Sequence, residues 1–117
     1  MKNKSYDEFQ CPMRLTEKLI GGRWKITLLW LLNEQNRRFN ELRRVLPGIT
    51  QKVLTEQLRE LEADRLIIRK VYEVVPAKVE YSLSEQGKRL IPILDMMCMW
   101  GKEYLVKEFN IEENSFC

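Results

Sequence analysis

Histidine is absent from this chain. Its absence removes Ser-His and Cys-His nucleophilic chemistry, the commonest general base, and most zinc or iron ligand sets. Cysteine is scarce, and Cys11, Cys98 and Cys117 are widely separated and odd in number. That argues against a disulfide scaffold and against a zinc site of paired cysteines, so free thiols and no metal are expected. Glycine is equally sparse: Gly21-Gly22 is an isolated pair, without the further glycines or the lysine spacing of a phosphate loop or a dinucleotide fingerprint. Long apolar runs are missing too. The cleanest, 26–32, is interrupted only by Thr27 and falls far below a membrane-spanning length. The opening MKNKSYDEFQC has neither an apolar core nor a small-residue cleavage site, so the expected location is the cytoplasm. No cofactor is expected, and an enzyme is disfavoured.

What remains describes a globular chain of 117 residues, 44% hydrophobic and 32% charged, most simply one domain spanning 1–117. A net charge of +3 from 20 basic and 17 acidic residues is too mild to identify a partner. Its distribution is more informative. Across 37–52 stand Arg37, Arg38, Arg43, Arg44 and Lys52 against the single acid Glu41, whereas Glu56, Glu60, Glu62 and Asp64 make the following stretch acidic. The same region, 37–64, reads as two short helices joined by a tight turn. Phe39, Leu42 and Leu46 recur at helical spacing, Pro47-Gly48 interrupts them, and Thr50 is placed to cap a second helix whose apolar stripe is Val53, Leu54, Leu58 and Leu61. At about 100° per residue, Lys52, Thr55, Glu56 and Arg59 point away from that stripe, with Gln51 beside them. A polar face beginning at a helix N-terminus and approached by basic residues suits the major groove and its phosphates. The competing interpretation is a solvated surface in which Glu56 and Arg59 pair with each other.

Residues 1–10 are expected to form a loose arm carrying Tyr6 and Phe9. Cys11 then takes the N-cap position before Pro12, and a short helix with Leu15 and Leu19 ends at Gly21-Gly22. A second helix over 24–33 has so little polar surface that it is expected to form the centre of the core. Beyond 64, the segments 66–74 and 79–83 are rich in β-branched and aromatic residues and read as a hairpin. Pro76 presets the turn and Lys78 stands near its tip, so this is a wing; an edge lysine that discourages strand pairing is the alternative for Lys78. Ser84 is placed to cap a last helical region reaching 109, in which Pro92 implies a kink or a fresh start. Met96, Met97, Met99, Trp100 and Tyr104 give it more apolar surface than one small core covers, so 84–109 is expected to bury itself in a partner, with an acidic tail at 110–117. The fold class expected is therefore mainly α with a small β-hairpin: a winged helix-turn-helix with an added C-terminal dimerisation helix.

This plan resembles the HxlR family of bacterial transcriptional regulators over roughly 11–104. The resemblance is carried by Cys11-Pro12, Gly21-Gly22-Arg23-Trp24 with Lys25, and Arg38-Phe39-Asn40-Glu41-Leu42. It continues through Pro47-Gly48-Ile49-Thr50-Gln51-Lys52, Leu58-Arg59-Glu60-Leu61-Glu62, Val79-Glu80-Tyr81-Ser82-Leu83, Ile91-Pro92-Ile93-Leu94 and Trp100-Gly101. It implies a homodimer joined by its N- and C-terminal helices, and, as in several members, a response to oxidants or electrophiles through an N-terminal cysteine, here Cys11. One departure is Arg65, where the family usually carries a glycine. Either Asp64 takes up the left-handed conformation there or the helix closes without it.

The function expected is a homodimeric, sequence-specific regulator of transcription that binds a pseudo-palindromic operator in double-stranded DNA, with a recognition helix near 50–63 and a wing near 74–79. A winged-helix protein-interaction module is the alternative. Candidate DNA contacts are Arg37, Arg38, Asn40, Thr50, Gln51, Lys52, Thr55, Arg59 and Lys78. Of these Arg38, Lys52 and Lys78 suit phosphate, Gln51, Thr55 and Arg59 suit base edges, and Asn40 and Thr50 suit caps or backbone clamps. Arg43 and Arg44 read as solvated charge.

Overall fold

The computed structural model describes residues 11–111; the arm at 1–10 and the tail from 112, Cys117 included, lie outside the described residues. The elements are α1 (Pro12–Ile20), α2 (Lys25–Glu34), α3 (Phe39–Val45), α4 (Gln51–Ala63), β1 (Ile67–Tyr72), β2 (Lys78–Leu83) and α5 (Glu85–Phe109). This is the expected plan of helices with one antiparallel hairpin, a winged helix-turn-helix. No helix among the described residues is long and apolar enough to cross a membrane.

Leucine spacing explains why the helices converge. Leu28 and Leu29 on α2, Leu42 on α3, and Leu54, Leu58 and Leu61 on α4 are each essentially inaccessible, and Ile20, Leu32, Leu66, Tyr81, Leu83, Ile91 and Leu94 complete the core around them. Each such leucine contributes roughly 1.5–3 kcal/mol by leaving water. Central α2 packs against both α5 and β2, while α4 lies along β1, so the hydrophobic middle helix fixes where the recognition helix and the wing stand relative to each other.

The turn of the helix-turn-helix is built from Gly48, whose φ of +84° a side chain would strain, and from the Ile49 N–H donating to the Leu46 carbonyl at 3.2 Å. Thr50 caps α4 as its position predicts, its Oγ1 accepting from the Val53 N–H at 3.1 Å. The far end of α4 corrects the expectation. Asp64 has φ −83° and Arg65 itself takes the left-handed conformation, at φ +62°. The Leu66 N–H then reaches back to the Leu61 carbonyl at 2.9 Å and the Arg65 N–H to that of Glu62 at 3.0 Å, which satisfies carbonyls the helix end leaves open.

In the hairpin Ile67 pairs with Leu83 and Tyr72 with Lys78, so Lys78 stands near the tip as the first residue of the second strand, in the last pair before the turn. Arg37 adds a short third rung. Its backbone N–H donates to the Tyr81 carbonyl at 3.0 Å and its carbonyl accepts from the Tyr81 N–H at 2.8 Å.

Ser84 caps α5 and anchors it at once: its Oγ accepts from the Gly87 N–H at 3.1 Å and donates to the Arg65 carbonyl at 2.6 Å. A break at Pro92 does not occur; α5 is one helix of 25 residues. Pro92 and Lys88 are both exposed, so the carbonyl that the proline leaves without its intrahelical donor is open to water. The first half of α5 supplies Ile91 and Leu94 to the core, while Met96, Met99, Trp100 and Phe109 beyond it remain exposed.

Candidate nucleic-acid interface

Because Leu54, Leu58 and Leu61 anchor one side of α4 in the core, helical geometry turns Gln51, Lys52, Thr55, Glu56 and Arg59 outward, and these five border one open, shallow depression. The Thr55 hydroxyl donates to the Gln51 carbonyl at 2.8 Å, which leaves its oxygen lone pairs as acceptors. Thr50 spends its hydroxyl on the cap.

A second concavity of about 420 Å³ lies between the start of α3 and the wing, lined by Asn36, Arg38, Asn40, Glu41, Arg44, Lys78 and Glu80. Its two acids are engaged within the fold. Glu41 accepts the Arg38 backbone N–H at 2.7 Å, which caps α3. Glu80 accepts from the Tyr72 hydroxyl at 3.1 Å and from Asn36 Nδ2 at 3.4 Å. Lys78 Nζ lies 3.9 Å from the other Glu80 oxygen and 4.7 Å from the centre of the Tyr72 ring. Asn40 lies within the first turn of α3 and not at its cap, which Arg38 occupies. Its carbonyl accepts from Arg44 Nε at 3.5 Å.

The structure thus gathers Arg38, Asn40 and Lys78 in one cleft and Gln51, Lys52, Thr55 and Arg59 on one helix face. Arg37 joins neither group. Its Nε donates to the Leu31 carbonyl at 3.1 Å and its Nη2 meets Glu34 Oε1 at 2.7 Å, with 12% of the side chain exposed. Sequence reasoning missed Asn36, Arg44 and Glu80 as cleft residues. For Arg44 a signal existed, since it stands four residues after Asn40 and shares its helical face; for Glu80 only the pairing of the hairpin reveals it.

Cys11 is an exposed free thiol at the N-cap of α1, with extended backbone at φ −110° and no capping bond from its side chain. Cys98 corrects the expectation of free thiols throughout: it is disulfide-bonded.

Comparison with known proteins agrees with this geometry. The model of the HxlR-like helix-turn-helix family matches residues 19–109. An HTH-type transcriptional regulator of Methanothermobacter thermautotrophicus is 50% identical over 109 residues, 93% of this chain and 83% of that protein. The crystal structure of the HTH-type transcriptional regulator ytcD superposes with a TM-score of 0.80 at 49% identity, covering 84% of this chain and 100% of that one. The redox regulator HypR in its oxidised form gives 0.75 at 52% identity, covering 80% and 96%. With the helix-turn-helix, the wing and the outward polar face of α4 in place, the chain belongs to the HxlR-like helix-turn-helix family of DNA-binding transcriptional regulators.

Proposed function

We propose that this regulator is a cytoplasmic homodimer that reads a pseudo-palindromic operator, each α4 entering one major groove and each wing reaching the flanking backbone. The observation that carries the reading is the open face of α4, where Gln51, Lys52, Thr55 and Arg59 stand together from the helix N-terminus onward. Gln51, Thr55 and Arg59 are assigned to base edges, and Lys52, Arg38 and Lys78 to phosphate. Arg37 is assigned to the fold, because its guanidinium already closes the C-terminal end of α2. Dimerisation is supported by the apolar residues that α5 leaves exposed after Leu94, among them Met96, Trp100 and Phe109. Two recognition helices about 34 Å apart then meet successive turns of duplex. Cys11 is the proposed regulatory thiol, supported by its exposure at the start of α1 and by the redox regulator HypR among the relatives.

The deciding experiment retains sheared genomic DNA on the protein, sequences what is bound and measures its affinity at two salt concentrations. Recovery of a two-fold symmetric site, bound by two chains, is the expected result. Truncation after Asp95, which keeps Ile91 and Leu94 in the core, is expected to abolish cooperative binding; a soluble truncated chain with unchanged affinity and stoichiometry would remove the dimer assignment.

A further inference from the structure

Glu80 is an acid placed in a basic cleft. With Arg38, Arg44 and Lys78 it lines the concavity beside the wing, where by Coulomb's law alone a carboxylate opposes an arriving phosphate. Its contacts suggest a different role. One oxygen takes both the Tyr72 hydroxyl at 3.1 Å and the Asn36 amide at 3.4 Å, and the other lies 3.9 Å from Lys78 Nζ. These partners come from three segments: the connection between α2 and α3, the last residue of β1 and the first residue of β2. Tyr72 and Lys78 are also direct partners across the hairpin, and the ring of Tyr72 has Lys78 Nζ 4.7 Å and Lys70 Nζ 4.8 Å from its centre.

The geometry points to Glu80 as a positioning residue for DNA binding, one that ties the outer end of the wing to the α2–α3 connection so that Lys78 is held beside Arg38 and Arg44 in readiness for a phosphate. The inference rests on the reading of Lys78 as a phosphate contact. A lysine already held against Tyr72 and Glu80 has less side-chain freedom to lose on binding than a solvated one, and a ring beneath a cation adds attraction of its own. Glu80 acts through Lys78 and the wing, not by touching DNA.

This account and simple charge repulsion predict opposite signs. The full-length protein is titrated against a labelled random-sequence duplex of about 30 base pairs, enough for two half-sites one turn apart, at several salt concentrations. Glu80→Ala is expected to weaken binding about threefold to tenfold despite the removal of a negative charge. Glu80→Gln keeps an acceptor for Tyr72 and Asn36 and preserves side-chain shape, so its expected loss is about twofold. In a Lys78→Ala background neither change has a further effect. Either variant binding as tightly as the wild type, or more tightly, overturns the proposal. So does an equal loss with and without Lys78, which would mean that Glu80 acts only through the fold. If Lys78→Ala leaves affinity and salt slope unchanged, the phosphate reading of Lys78 has failed and takes the proposal with it. A reduced slope for Lys78→Ala beside a tightened Glu80 variant sinks the Glu80 role alone.

Discussion

Lys25 Nζ lies 2.7 Å from Glu60 Oε1, joining the first turn of α2 to the recognition helix, with the lysine side chain 8% exposed and the glutamate 55%. That asymmetry fixes which partner the fold depends on. Without Glu60 a buried ammonium loses its counter-charge, whereas without Lys25 the carboxylate turns to water. Glu60→Gln is therefore expected to cost about 1–3 kcal/mol in urea unfolding, and Lys25→Met less than about 1 kcal/mol. In the Lys25→Met background Glu60→Gln should be nearly neutral. Equal losses from the two single variants would show the bridge to be an ordinary surface pair.

Arg65 occupies a conformation that glycine adopts freely, at φ +62°. Its side chain thus holds a backbone strain that glycine avoids. Arg65→Gly is expected to raise stability by roughly 0.5–1 kcal/mol, the left-handed penalty less the extra freedom glycine brings to the unfolded chain. Unchanged or lowered stability would mean that the Arg65 side chain makes a compensating contact.

Gly87 allows α5 to lie against the residue that enters β1. A Cβ there would overlap the Leu66 carbonyl oxygen and lie 3.2 Å from a Leu83 methyl. Because the obstacle is backbone, relief requires moving the helix start, and with it the Ser84 bonds to Arg65 and Gly87. Gly87→Ala is expected to destabilise by about 2 kcal/mol or more, although alanine is the better helix former. A thermal midpoint equal to that of the wild type would refute the close approach.

These three sites mark the limit of what the sequence discloses. Periodicity placed the buried leucines of α4, and spacing alone put Thr50 at its cap and turned Thr55 and Arg59 outward, because those are local consequences of helix geometry. The roles of Lys25 and Glu80 depend on partners far along the chain or across a strand pair, and no spacing rule reveals them. Arg37 was grouped with the basic approach to DNA because its neighbours are basic; its side chain instead turns back to Leu31 and Glu34. Pro92 implies a kink or a fresh start because proline removes one hydrogen bond; the fresh start does not occur, and exposure of that turn leaves water to replace the bond. Neither Asp64 in the left-handed conformation nor a helix closed without it describes this end; Arg65 adopts that conformation itself, because its avoidance by arginine is a preference and not a prohibition.

The two cations on the recognition helix are expected to fail differently. Lys52→Ala should weaken operator and random DNA alike and reduce the salt slope by about one unit, as the loss of one phosphate contact does. Arg59, two turns further along the same face, is the proposed base-edge contact. Arg59→Ala should cost about 1–3 kcal/mol at one operator position and relax specificity there. Equal losses on operator and random duplex for Arg59→Ala would remove it from the readout set.

Cys11 is the free thiol among the described residues, exposed and standing immediately before Pro12 at the start of α1. Its side chain makes no capping bond, so modification there breaks no local hydrogen bond and its effect has to pass through the position of α1 itself. Under the proposed dimer that helix belongs to the interface, and a shift at the interface changes the separation of the two recognition helices against a site of fixed half-site spacing. Cys98 already holds a disulfide, so a reductant would open that bond, leave the free Cys11 thiol as it is and blur the comparison. Oxidant is therefore added rather than removed. Diamide takes two electrons and two protons from a pair of thiols, here the two Cys11 thiols of the proposed dimer, and leaves a disulfide, and an aldehyde adds to a single thiol. Operator affinity of the wild type is expected to change by about fivefold or more after either reagent, the lower end of ordinary site-to-site coupling, while Cys11→Ser stays unchanged. A response that survives in Cys11→Ser would move the sensor to another residue, and no response in either protein would leave Cys11 as an inert thiol at the start of α1.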